Sequence, residues 1–187
     1  MNRRRFLSLT APALASLASG RLAAQPPARR PDVIYVPTPP EVVSAMLELA
    51  GLHAGDVVYD LGCGDGRIVV AAAKHPGVKA VGLEIDPRRV AEARANVAEN
   101  GVESTATVRQ EDIFLADLSP ATVVTMYLLP TLNVRLLPKL ARLRRGTRIV
   151  SHSFAMKGAK PKTLLRVRTP DGASRAVFLW VVPWEKE

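Results

Sequence analysis

Residues 57–84 constrain the fold more than any other stretch of the chain. Val57, Val58, Tyr59 and Leu61 make a short apolar run around Asp60, three glycines follow at 62, 64 and 66, and a second apolar run spans Lys79 to Ile85. Short apolar runs of this kind suit strands buried on both faces of a parallel sheet. The glycines permit a tight strand-to-helix turn and let a ligand reach the backbone with no side chain intervening. Ile68 to Lys74 reads as the helix that follows, and its first N–H groups have no partners within the helix. Glu84 stands eighteen residues beyond Gly66. A carboxylate there has two oxygens to accept hydrogen bonds from both hydroxyls of a ribose. Open α/β sheets bind ligands at the carboxyl ends of their strands, so a nucleoside-type ligand over this loop is the expectation.

The rest of the chain repeats the alternation. Thr38 is expected to cap a leading helix, with Pro39 and Pro40 in its first turn, Glu41 at its positive end and Gly51 as its stop. Pro87 opens a helix through Asn100 that stops at Gly101, and Pro130 starts another carrying Leu132, Leu136, Leu137 and Leu140. Further strands are expected at Thr105–Arg109, Thr122–Leu128 and Thr147–Phe154. The last two runs, Leu164–Arg168 and Val177–Val182, are joined through Pro170-Asp171-Gly172, which is turn chemistry, so the chain should close on an antiparallel hairpin. The fold class is therefore α/β, a mostly parallel sheet with a reversed C-terminal strand.

Asp60-Leu61-Gly62-Cys63-Gly64-Asp65-Gly66 resembles the first motif of the class I methyltransferases that use S-adenosyl-L-methionine (SAM). Dinucleotide dehydrogenases instead space their glycines G-x-G-x-x-G. The resemblance implies a Rossmann-like, seven-stranded sheet and SAM as cofactor. It places Asp60, Gly62, Gly64 and Gly66 around the methionine part, Glu84 on the ribose, Asp112 on the adenine amino group, and Ile85 and Ile113 on either side of the adenine ring. Glu111 is adjacent to Asp112, so the register there is open by one residue. A closer resemblance, carried by Tyr35-Val36-Pro37-Thr38, Asp60 to Ala73, Val81-Gly82-Leu83-Glu84 and Val123 to Leu140, is to the lysine methyltransferases whose mitochondrial members modify the ATP synthase c subunit and the adenine nucleotide translocase. It implies a protein lysine as acceptor. Tyr127, at the end of the fourth strand, is the first candidate for positioning substrate; Tyr35 and Thr38 are the second.

Outside this domain, assigned to 38–187, residues 1–24 resemble a twin-arginine export signal. Arg3-Arg4-Arg5-Phe6-Leu7 precedes an apolar stretch, Leu7 to Ala18, too short for an ordinary membrane span, which needs about 20 residues. A periplasmic location is the expectation, with a cytoplasmic or membrane-anchored chain if the leader is not cleaved. Residues 25–37 are proline-rich and read as an extended linker. Of the formal net charge of +9, Arg3, Arg4, Arg5 and Arg21 contribute four, leaving +5 for the rest. The Lys and Arg spread through 135–175 read as a solvated face rather than a nucleic-acid groove, and no nucleic-acid partner is expected. One cysteine, Cys63, excludes an intramolecular disulfide, and no spacing suggests a metal site. His152 reads as a structural, hydrogen-bonded histidine. Oligomeric state is not encoded in any pattern here. The alternatives are an exported nucleoside-binding protein without turnover, a methyltransferase for a non-protein acceptor, and a dinucleotide oxidoreductase, the last disfavoured by the glycine spacing.

Overall fold

The computed structural model describes residues 34–187. The segment expected to be an export signal, 1–24, and most of the expected linker, 25–37, lie outside the described residues. The elements run α1 (Pro40–Ala50), β1 (Val57–Leu61), α2 (Arg67–Ala73), β2 (Lys79–Glu84), α3 (Pro87–Glu99), β3 (Ala106–Gln110), β4 (Val123–Met126), α4 (Pro130–Leu140), β5 (Arg148–His152), β6 (Thr163–Arg168) and β7 (Ser174–Val181). The seven strands form one sheet in the order β3-β2-β1-β4-β5-β7-β6. β1 to β5 are parallel, and β7 is antiparallel to both β5 and β6.

Strand order explains the burial. β1 and β4 are central, and apart from half-buried Val57 their residues are all buried. Two cores result, one on each face. Val58, Val69, Val70, Val150 and Val177 join α1, α2 and α3 on one side, while Leu61, Met126, Leu136, Ile149 and Trp180 join α4 on the other. Asp56, 1 % exposed at the start of β1, is ion-paired with Arg148 and accepts from Thr122 Oγ1 at 2.7 Å. That cluster ties β1, β4 and β5 together at the sheet's N-terminal end, opposite the glycine loop.

Several expected boundaries move. Thr38 does not cap α1: the N-cap position falls on Pro39, whose carbonyl takes the Val42 and Val43 N–H groups, and no side chain caps the helix. The Thr38 hydroxyl is turned inward to His152 instead. β4 stops at Met126, so Tyr127 and Leu128 belong to the turn before α4. β5 ends at His152 because Ser153 adopts a left-handed φ of 62°. β7 begins at Ser174, three residues earlier than hydrophobicity alone suggests, since Arg175 and Ala176 pair with β6 despite their side chains.

Candidate active site

The loop between β1 and α2 is held to the end of β2 by backbone bonds: the N–H groups of Gly62 and Cys63 both donate to Leu83 O, at 2.9 and 3.0 Å. Glu84 completes the attachment. Its Oε2 accepts from Gly64 N at 2.9 Å, and its Oε1 accepts from Ile85 N at 2.7 Å and Asp86 N at 2.9 Å. The carboxylate thus organises the loop it faces, and carboxylate oxygens have lone pairs beyond these three bonds.

Above this loop lies a cavity of about 480 Å³. Asp60, Gly62, Glu84, Ile85, Asp112, Ile113, Tyr35 and Tyr127 all line it. Gly64 and Gly66 do not; they shape it from behind. A Cβ on Gly64, where φ is +55°, would stand 2.2 Å from the Tyr35 ring, and one on Gly66 would stand 2.9 Å from Ala93 Cβ on α3. Glu111 lines the cavity as well as Asp112, so both candidate registers face the same space. Asp112 Oδ1 accepts from Phe114 N at 2.9 Å, which turns the chain after β3 back across the opening.

Asp60 is 3 % exposed and accepts from Thr125 Oγ1 at 2.7 Å. Burial pushes its carboxyl up to about 7, the Thr125 hydrogen bond lowers it, and the nearby Glu84 and Asp65 carboxylates raise it further. Asp65 pairs with Arg67, Nη2 to Oδ2 at 2.6 Å, and Arg67 Nη1 donates to Thr38 O at 2.9 Å. Arg67 therefore clamps the segment before α1 against the glycine loop. The Tyr35 ring lies between that loop and the Arg89 guanidinium, 4.6 Å from its centroid. Burial and the adjacent Asp65 raise the Tyr35 phenol above its ordinary value.

At the opposite wall, Tyr127 packs its ring 4.0 Å from His152 and 6.2 Å from Phe154, centroid to centroid. His152 is fully buried, with Nδ1 3.2 Å from Thr38 Oγ1 and no partner for Nε2 among the described residues. Burial, with Arg175 nearby, drives its pKa down to about 4, so the ring is neutral at ordinary pH. The structural reading of His152 fits this position. Sequence reasoning misses two residues of the site, Thr125 and Lys139. Thr125 has a signal, a hydroxyl inside the apolar run Val123-Val124-Thr125-Met126. Lys139 has none: its Nζ reaches back from α4 to the carbonyls of Ile113 (3.1 Å) and Phe114 (3.0 Å), fixing the wall beneath the opening. Among the described residues no cluster of His, Cys, Asp or Glu could hold a metal ion, and no helix is long and apolar enough to cross a membrane.

A parallel sheet closed by an antiparallel strand, a glycine loop over β1 and an acid at the end of β2 define a class I SAM-dependent methyltransferase. The ANTKMT methyltransferase domain matches residues 60–163, and the chain belongs to that family. It is 50 % identical over 155 residues to a protein-lysine N-methyltransferase of Saccharolobus islandicus, covering 81 % of this chain and 95 % of the relative. It is 31 % identical over 130 residues to the Homo sapiens lysine N-methyltransferase of the ATP synthase c subunit, covering 69 % of this chain and 55 % of the human protein. Among solved structures it is similar to an RNA methyltransferase from Salinibacter ruber in complex with S-adenosyl-L-homocysteine (TM-score 0.73, 49 % identity, 80 % of this chain and 95 % of that one).

Proposed function

We propose that this chain transfers a methyl group from SAM to the side-chain amine of a protein lysine. The observation that carries the acceptor class is the similarity to the Saccharolobus lysine methyltransferase along nearly that protein's whole length. The cavity supports the cofactor half of the reading. Its volume lies in the ordinary range for small-ligand sites. Its lining includes six carboxylates, Asp60, Asp65, Glu84, Asp86, Glu111 and Asp112, against three guanidinium groups, of which Arg67 and Arg88 pair with Asp65 and Asp86, and the excess of acid suits a ligand bearing an ammonium and a sulfonium. Asp60 and the backbone at Gly62 would hold the methionine part, Glu84 the ribose, and Asp112 with Ile85 and Ile113 the adenine.

SAM supplies an activated methyl group that leaves a sulfonium by in-line displacement, so the protein's task is alignment and exclusion of water. An ammonium cannot attack; the acceptor must arrive neutral. Tyr127 and Leu128 form a partly apolar wall where desolvation favours the neutral amine, and the phenol oxygen offers it an acceptor. Tyr35 shields the methionine side of the site. Export through the leader at 1–24 belongs to the same proposal, and a reporter fused behind that segment tests it by twin-arginine-dependent appearance in the periplasm.

A second reading, RNA methylation, is favoured by the Salinibacter neighbour of nearly equal identity. Incubating the protein with labelled SAM and either a protein extract or total RNA separates the two. Acid-stable label on lysine supports the proposal; label confined to RNA sinks it.

A further inference from the structure

We infer that the outer face of β6, at the end of the sheet where the cavity opens, is a docking platform for an acidic, extended segment of the acceptor protein. This rests on the proposed protein acceptor and adds what selects it. Between Asp117 and Asp171 the sequence holds eleven Lys and Arg and no Asp or Glu. Of the seventeen acidic residues, fourteen lie at or before Asp117 and three, Asp171, Glu185 and Glu187, follow the run. Register then places part of this charge beside the acceptor. Leu164 pairs with Phe178, Arg166 with Ala176 and Arg168 with Ser174, and paired residues share a face. Phe178 and Trp180 belong to the α4-side core, so Leu164, Arg166 and Arg168 lie on that side too.

β6 runs parallel to β5, because both are antiparallel to β7, so Arg166 and Arg168 lie toward the end of the sheet where β5 delivers His152 and Phe154. The loop after β5 covers Trp180, whose Nε1 donates to Ala159 O at 2.8 Å, but it leaves this end open: Leu164 is 47 % exposed, and Arg166 and Arg168 are exposed with no ion pair among the described residues. The nearest acid in sequence, Asp171 at the hairpin turn, is occupied by Arg175 and Thr169. β6 is also the last strand of the sheet, so its outer backbone edge has no strand beside it among the described residues. An extended segment with carboxylates matches both features, the free edge and the two exposed guanidinium groups. RNA fits less well: single-stranded RNA binds on exposed aromatic rings, and none of the largely exposed apolar side chains among the described residues is aromatic.

Two synthetic peptides test this, one with a central lysine between aspartate tracts and the other with asparagine in place of every aspartate. The wild-type protein is expected to methylate the aspartate peptide with a kcat/KM about tenfold higher, through KM, with the preference shrinking as salt is added. In Arg166→Gln/Arg168→Gln the preference should fall to near unity with S-adenosylhomocysteine affinity unchanged, and Arg166→Lys/Arg168→Lys should restore most of it. Equal use of both peptides by the wild-type protein overturns the platform while leaving lysine transfer standing. Methylation of neither peptide, with RNA labelled instead and its binding lost in the Gln variant, overturns both.

Discussion

Thr125 Oγ1 donates a 2.7 Å hydrogen bond to Asp60 Oδ1 in the cavity wall, where Thr125 is fully buried and Asp60 nearly so. One hydroxyl is a modest partner for a buried carboxylate, and burial leaves Asp60 with a pKa of about 7. A bound ligand that brings an ammonium into the cavity, as both SAM and S-adenosylhomocysteine do, stabilises the ionised form and lowers that pKa. Binding should therefore release a proton when the free protein is at or below pH 7. The expected result is S-adenosylhomocysteine affinity that rises from pH 6 to 8, approaching a tenfold gain per unit below 7, and calorimetric heats that differ between phosphate and Tris. Affinity that is flat across this range would contradict the role given to Asp60.

The same residue sets a stability prediction together with His152. Between about pH 4 and 7 the folded state holds a proton on Asp60 that the unfolded chain has released, so this contribution to stability falls as pH rises through the window, by at most roughly 4 kcal/mol. His152 has the opposite sign. Its folded pKa of about 4 lies below the ordinary 6.5, so the unfolded chain binds the extra proton and stability falls as pH drops from 6.5 to 4, by at most roughly 3 kcal/mol. The two slopes offset each other over most of the range. Asp60→Asn should unmask the histidine, giving a Tm that climbs between pH 4.5 and 6.5 and exceeds wild type above pH 7. Thermal melts across that range read both effects, and the variant should bind S-adenosylhomocysteine at least tenfold more weakly.

How much of this is legible in sequence depends on how far apart the partners lie. The glycine loop and Glu84 are readable because a turn, a left-handed backbone and an acid at a strand end are local signals. The hairpin is readable from Pro170-Asp171-Gly172. Thr38 misleads for the converse reason: its hydroxyl meets His152, 114 residues away, and nothing beside it in sequence competes with a capping role. Asp60 and Thr125, 65 residues apart, meet only because β1 and β4 are paired in that register. Lys139 and the carbonyls it grips are likewise joined by tertiary packing alone.

Gly64 and Tyr35 give a third prediction. Gly64→Ala places a Cβ 2.2 Å from Cε2 of the Tyr35 ring at a φ of +55°. The left-handed backbone alone costs about 1–2 kcal/mol for alanine, and displacing the ring adds to it. Combined with Tyr35→Ala, the steric part disappears and only the backbone part remains. The double variant should therefore be more stable than the sum of the single losses implies, by about 1 kcal/mol. Urea unfolding of the four proteins measures this. Strict additivity would mean that the ring does not rest on the loop.

Glu84 separates binding from architecture. Its two oxygens accept three backbone N–H groups, from Gly64, Ile85 and Asp86. Glu84→Ala leaves all three without that acceptor at a buried loop, and each buried donor left unsatisfied costs about 1–3 kcal/mol where water cannot replace it. This variant should lose several degrees of Tm as well as the ligand. Glu84→Gln keeps one carbonyl oxygen, and if that oxygen takes the Ile85 and Asp86 N–H groups, the amide NH₂ must face Gly64 N, donor against donor. The loop near Gly64 should loosen while the end of β2 stays in place. Hydrogen exchange is expected to speed up at Gly64 and not at Ile85, with S-adenosylhomocysteine affinity reduced about ten- to a hundredfold because a ribose hydroxyl meets one acceptor fewer. Unchanged affinity in Glu84→Gln would remove the ribose from this carboxylate, even if the exchange pattern followed the hydrogen bonds.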